Sequence, residues 1–316
     1  MTDLRRQAAW PERSSGIYFL IPPAAPLAQL DRASDYGSEG WGFDSLRAHH
    51  SIPWQLLLFS KSLKKRQKLE LIQTQIGETK GRKCVLITNG DNNGALNHQF
   101  RAQGGEWTWV ENEADRIEEM AKFLGEPVRK GEATHVPAED ASFDVVVSID
   151  VHEHIADCRP FNRELHRIVK PGGTVVVSTP TGDAWKPVTL LKRLLGMTKE
   201  RYGHRVIGYN VRQHEAMLRE VGLEPERAGT YSRFFTELLE LGINFAYVRI
   251  LSRGSREAKP GPIAPSTEEQ LRAVDRQIRI YSAIYPALWA ISRLDRLLFF
   301  LKGYAVSVVA RRPDRS

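Results

Sequence analysis

Cysteine is scarce in this chain, with Cys84 and Cys158 alone among 316 residues. Two thiols make neither a disulfide framework nor a zinc pattern, so a reducing, cytoplasmic setting is expected. Cys84 opens the apolar run KCVLIT and reads as inert core. Uninterrupted apolar stretches of about 18 residues, the length needed to cross a bilayer, are missing. LIPPAAPLA near the start is broken by prolines and lacks a basic lead-in, so it does not read as a secretory signal. A concentrated basic face is missing too. The net charge of +7 is spread among KSLKKRQK, the 192–205 region and RRPDR. Nucleic acid is therefore not an expected partner. Gly-x-Gly-x-x-Gly is absent, which argues against an NAD-dependent dehydrogenase. There are no internal repeats.

What is present suits a globular protein: 41% hydrophobic and 26% charged residues. The length fits one large domain, or one domain with appendages. Residues 1–55 match no domain pattern and are expected to be disordered or spurious. Within them, AQLDRASDYGSEGWGFDSLRAH (28–49) resembles the in-frame translation of a transfer-RNA gene, which implies a start assigned too far upstream. An N-terminal helix is expected over 56–80, its basic amphipathic part at 60–77 ending on Gly77. Strands are read at KCVLIT, EWTWVE, PVRKGEAT, FDVVVSID and TVVVST, with helices between them. That alternation predicts a parallel sheet with helices on both faces. KPGG is read as a helix stop before a strand that begins at Thr174.

CVLITNGDNNGAL is an apolar strand running into a Gly/Asn turn. Glycine permits positive φ and close backbone approach to a ligand, and Asn and Asp tolerate the left-handed region. Helix-start amides can then face an anionic group. Asn89, Gly90, Asp91 and Gly94 are the candidate contacts. Glu111 ends the second strand, 21 residues after Gly90. A carboxylate at that point can accept ribose hydroxyls.

The 83–180 segment resembles the class I S-adenosylmethionine-dependent methyltransferases, in particular the type 11 family. The motifs that carry the resemblance are CVLITNGDNNGAL, GEATHVP, FDVVVSIDVHEHI and KPGGTVVVSTP. The resemblance implies an α/β, Rossmann-like, doubly wound seven-stranded sheet in the order 3-2-1-4-5-7-6. A core over 81–232, a helical cap inserted over 233–303 between strands six and seven, and a final strand with a basic tail over 304–316 follow from it. It further implies S-adenosylmethionine as cofactor. Glu132 would meet the adenine amino group and Ala133 would supply the adjacent backbone N–H. Asp150 would face the sulfonium and the substrate. The acid-x-x-Glu-His arrangement of Asp150, Glu153 and His154 resembles ubiquinone-type O-methyltransferases, which adds Mg²⁺ as a further expectation. His152 is expected at solvent or against an adjacent loop. His204 and Tyr209 resemble the substrate-side segment, with Arg201 and Arg205 available for an anionic group. The family expects an acid at the end of the first strand, where this chain has Ile87 or Thr88.

Methyl transfer to a small-molecule, glycan or lipid-linked acceptor, at oxygen, is the expected activity, with His154, Asp150 and His204 as candidate catalytic groups. A methyltransferase-like protein that binds without catalysis is the alternative. FFTELLELGINFAYVRILS and the 267–303 stretch are rich in apolar and aromatic residues. The second is expected as one kinked helix or two, divided near Pro286. Arg293, Asp295 and Arg296 interrupt it, so 279–303 would lie at a membrane interface rather than span it.

Overall fold

The computed structural model describes residues 52–314 apart from 201–202, 253–271 and 273–274. The 28–49 segment and Arg201 lie outside the described residues, as does nearly all of the loop expected at 252–266. Helix α1 spans Trp54–Ser60 and buries Gln55 and Phe59.

A second helix, α2, spans Leu63–Ile76. The two helices replace the single expected one because Ser62 caps α2, accepting the Lys65 N–H at 3.2 Å. Gly77, at φ +66°, ends it as anticipated. The chain then alternates: β1 (Lys83–Thr88), α3 (Ala95–Ala102), β2 (Glu106–Glu111), α4 (Ala114–Leu124), β3 (Val128–Lys130), β4 (Phe143–Ile149), α5 (Arg159–Ile168) and β5 (Val169–Pro180). After these come α6 (Pro187–Leu194), α7 (Val211–Arg219), β6 (Glu224–Tyr231), α8 (Phe234–Ser252), α9 (Asp275–Ser292) and β7 (Ala305–Arg311).

The seven strands form one sheet in the order β3-β2-β1-β4-β5-β7-β6. The pairs among β1 to β5 are parallel, and β7 runs antiparallel between β5 and β6. Strands β1 and β4 are almost continuously Val, Leu and Ile because helices cover both faces of the sheet. One core layer joins Leu69 and Ile72 of α2 to Phe100, Trp109 and Met120. The other joins Phe161 and Leu165 of α5 to Val146, Leu218 and Val308. Cys84 is fully buried, and burial pushes its thiol up to about 12.

Two element boundaries differ from expectation. KPGG is not a break before the strand: β5 starts at Val169, pairs Val169 with Phe143, and accommodates the glycines with a register shift. Gly172 sits at φ +72°, where a Cβ would lie 2.7 Å from the Asp314 carboxylate. The division near Pro286 is also absent. Helix α9 passes through Pro286, which is solvent-exposed, and gives way at Arg293 to a 3₁₀ segment, Arg293–Leu298. On an exposed face, water can take the carbonyl that proline leaves without a donor.

Candidate functional site

The carboxyl ends of β1, β2 and β4 bring the candidate residues to one edge of the sheet, where open α/β folds hold ligands. The loop after β1 is shaped by its asparagines. Asn92 donates to Asn97 Oδ1 at 2.6 Å and accepts the Gly94 N–H at 3.1 Å. Asn93 accepts the Ala95 N–H at 3.2 Å. The Asn side chains thus satisfy helix-start amides that the sequence suggested would face a ligand. Gly90 and Gly94 take φ +75° and +89°. A Cβ on Gly90 would lie 2.9 Å from the Glu113 side chain, and its positive φ is one that glycine adopts without strain.

Glu111 is fully buried at the end of β2. One carboxylate oxygen accepts the Thr88 hydroxyl at 2.7 Å. The other accepts the Gly90 and Glu113 N–H groups, both at 2.8 Å. Burial pushes its pKa up, and these three donors pull against that rise. Glu111 therefore fastens the β1 loop to β2, and Glu113 rather than Glu111 lines the cavity in front of them. Glu132 and Ala133 lie in the turn after β3, where Glu132 is exposed and its backbone bridges to His135. Neither they nor Gly94 are among the cavity walls.

Asp150 stands at the end of β4 with φ +54°, a left-handed conformation that costs a non-glycine residue. Its carboxylate is ion-paired with Lys68 of α2. Burial alone would depress the Lys68 ammonium, but Asp150, Tyr231 and Asp91 outweigh it and raise its pKa. Glu153 follows in a short 3₁₀ turn, His152–His154, and is buried with one carboxylate oxygen lacking a hydrogen bond. Burial, aided by Asp150, raises its pKa well above the usual carboxylate range.

The loop through His204 is anchored to that turn: the Arg205 and Val206 N–H groups both donate to the Glu153 carbonyl, at 2.8 and 3.2 Å. This places the His204 and His154 rings edge to face, 4.8 Å between centroids. His154 Nδ1 lies 3.2 Å from the Gly203 carbonyl. Burial, with His154 second, lowers the His204 pKa to about 4.

Two expectations are corrected here. His152 does not reach solvent. It is fully buried, bonded to Asn162 Oδ1 at 2.8 Å and packed edge-on against Phe161 and His214, because the 3₁₀ turn folds it back onto α5. Tyr209 faces inward, 3.4 Å from Cys158 Sγ and edge-on to His214, and is not among the cavity walls.

The cavity itself measures about 1420 Å³. Its near end holds Asn89 to Asn93, Asp150, Glu153, His154 and His204. Its far end is walled by α8 and α9. Single-ligand pockets usually span about 300–1,000 Å³, so this volume suits a nucleoside-sized cofactor together with an acceptor. Lys68, on the cavity wall, was visible in the sequence only as one lysine of KSLKKRQK in a basic amphipathic helix. Its signal was its helical spacing from Ile72, which puts it on the buried face of α2.

The comparisons with known proteins agree with this arrangement. Residues 90–177 match the family model of a methyltransferase domain of type 11. A probable S-adenosylmethionine-dependent methyltransferase of Mycolicibacterium smegmatis is 37% identical over 76 residues, 24% of this chain and 30% of its own length. The ubiquinone biosynthesis O-methyltransferase of Bordetella avium is 27% identical over 215 residues, 63% of this chain and 80% of its own length. Among solved structures, an S-adenosylmethionine-dependent methyltransferase of Thermotoga maritima superposes with TM-score 0.50 and 14% identity, covering 85% of this chain and 98% of that one. This last likeness concerns the fold. The chain spans about a third of the length of the first curated relatives it matches.

Sheet order and site position define an α/β protein of the kind that holds a nucleoside cofactor at a strand switch point. More narrowly, the chain carries a class I S-adenosylmethionine-dependent methyltransferase domain of the type 11 family.

Proposed function

We propose that the protein transfers a methyl group from S-adenosylmethionine to an oxygen of a small-molecule, glycan or lipid-linked acceptor. The observation that carries this reading is Asp150, strained at the end of β4 and facing the same cavity as Asn89 to Asn93, His154 and His204. The residues fit the cofactor. Gly90 lines the cavity and allows close backbone approach, Glu113 lines it at the end of β2 beside the buried Glu111, where the ribose would sit, and Glu132 and Ala133 stand in the turn beyond β3, outside the cavity walls. Lys68 supplies a cation beside Asn89 and Asp91 for the cofactor's carboxylate, and Asp150 balances it.

The bound cofactor supplies an electrophilic methyl on a sulfonium whose thioether is already a good leaving group. The chain's own residues must therefore position and desolvate. Holding the acceptor in near-attack geometry is worth up to about 7–11 kcal/mol in favourable cases. His204 is neutral at pH 7, so it can accept the acceptor's hydroxyl proton without first placing a cation beside the sulfonium. His154, stacked edge-on against it, fixes the ring. The reading carries no magnesium step. Glu153, His154 and His204 bring one ligand atom each within 4.8 Å of one another, but burial favours the protonated Glu153 and Lys68 already pairs with Asp150. Two imidazoles and one carboxylate are also a poor donor set for a hard cation.

We read 81–232 as the catalytic core and 233–303 as its cap, in a cytoplasmic protein that meets a membrane at its periphery. Leu297, Phe299 and Phe300 are 68%, 77% and 69% exposed, with Arg293, Arg296 and Lys302 beside them in the chain. Such a pairing of apolar and basic groups suits an anionic lipid surface. Among the described residues, no helix is long and apolar enough to cross a membrane.

The second reading, a binding protein without catalysis, is favoured by the amides that Asn92 and Asn93 occupy. Calorimetry with S-adenosylhomocysteine separates the two. Saturable 1:1 heat, weakened about tenfold or more in Asp150→Ala, supports the cofactor site. No heat with either S-adenosylmethionine or S-adenosylhomocysteine favours the second reading.

A further inference from the structure

The cavity is divided by charge. Near the β1 loop its walls carry Asp91, Glu113, Asp115, Asp150 and Glu200 against Lys65, Lys68, Arg116 and Lys199, with Glu153 held protonated by burial. That acidic surplus suits a sulfonium. The far half reverses the balance, with Lys61, Lys64, Lys192 and Arg193 against Glu237 and Glu240. Lys64 and Lys192 converge on Glu237, which is buried and also accepts the Ser232 hydroxyl at 2.6 Å. A single carboxylate thus holds two ammonium groups together at the cavity wall.

Beyond this cluster the wall turns aliphatic. Leu238 and Ile243 come from α8, and Ile278, Ile284 and Leu288 from α9. Ile280 and Ile284 are half-exposed, so the apolar wall reaches the mouth of the cavity. Lys64 lies one helical turn from Lys68 on α2, and Lys68 meets Asp150. Side chains at that spacing have Cβ atoms roughly 5–6 Å apart. The cationic cluster therefore sits between the methyl-donor end and the aliphatic channel.

We infer that the acceptor is an anionic amphiphile: a carboxylate or phosphate seated on Lys64 and Lys192, an aliphatic chain lying between α8 and α9, and the methylated oxygen on the head side of the molecule. The inference rests on the methyltransferase reading for the last of these three features. The other two follow from the cavity alone. Glu237 gathers the two lysines at the cavity wall, and the charged head brings its own compensation for the surplus cation. The aliphatic wall accounts for the mouth between α8 and α9, where an open channel would otherwise wet Ile280 and Ile284.

The test is calorimetric titration of the full chain, without cofactor, with decyl phosphate, decanoate and decanol below their micelle concentrations. One of the two anions should bind 1:1, with decanol at least about tenfold weaker, as loss of a charge-assisted contact implies. Which anion binds more tightly distinguishes a phosphate head from a carboxylate. Shortening the chain should weaken binding by up to about fourfold per methylene. Lys192→Met should weaken the anion and leave decanol unchanged. Equal affinity for decanol, no binding of either anion, or no effect of chain length would overturn the inference. The head-group and chain-length arms need no variant, so a folding failure of Lys192→Met leaves them decisive. Binding of the amphiphile without any response to S-adenosylhomocysteine would keep the chamber and remove the methyl-transfer reading. The reverse result would remove the chamber alone.

Discussion

At the scale of single residues, the site is built from buried charges that hold one another. Glu237 is the clearest case. Burial would raise its pKa, but Lys64, Lys192 and the Ser232 hydroxyl drive it well below the usual carboxylate range. Because the folded value lies below the unfolded one, its stabilisation is complete above about 4.5, the ordinary glutamate value, and is lost as pH falls below that. Glu237→Gln should cost about 3 kcal/mol at pH 7, since it leaves two lysines without their counter-ion. In urea unfolding, the gap between the wild type and the variant should close as pH falls from about 5 toward 3. A gap that stays constant with pH would contradict this role. Residue chemistry of this kind was only partly legible in the sequence. Asp150 and His154 could be placed because the FDVVVSIDVHEH run fixes the end of a strand. Lys68 and Glu237 could not, because a lysine on a basic helix and a glutamate in FFTELLEL give no sign of the partners, Asp150 and Lys64, that folding brings from 82 and 173 residues away. His152 was misplaced for the same reason: nothing local distinguishes a histidine turned onto Asn162 from one facing water.

At the scale of elements, apolar runs determined the strands and most helices, while breaks depended on contacts between distant segments. Asp295 shows the difference. The sequence presents it as a charge interrupting an apolar run, fit for an interface. In the structure it is buried and accepts the N–H groups of Arg233, Phe235 and Thr236, at 2.9, 2.8 and 3.2 Å. It is the cap of α8, supplied from the 3₁₀ segment after α9 rather than from the residue before the helix. Asp295→Ala should destabilise the protein by about 2 kcal/mol or more, because several buried donors lose their acceptor together. Hydrogen exchange should speed up first at the start of α8. Uniform exchange across the chain, with no early loss there, would count against this capping role. The absent break at Pro286 belongs to the same scale, since the proline lies on an exposed face of α9, between positions anchored by the buried Tyr285 and Ser292.

At the scale of the whole molecule, the alternation of strands and helices predicted a parallel sheet, while its order was legible only through the resemblance to the methyltransferase family. What the 233–303 segment does was less legible. Its composition fits both a packed cap and an exposed apolar face: α8 and α9 wall the cavity, while Leu297, Phe299 and Phe300 stay exposed. Flotation with anionic vesicles should carry the protein upward, and Phe299→Ser with Phe300→Ser should leave it in the heavy fraction. Equal partitioning of both forms would remove the membrane contact without touching the site. The central claim, that the β1 loop, the end of β2 and Asp150 enclose one cofactor, is tested most directly by a crystal structure with S-adenosylhomocysteine. The account predicts the ribose at the end of β2 beside Glu113, the sulfur beside Asp150 with His154 and His204 across from it, and the α8–α9 channel left open. A ligand seated elsewhere in the cavity, or none at saturating concentration, would contradict it.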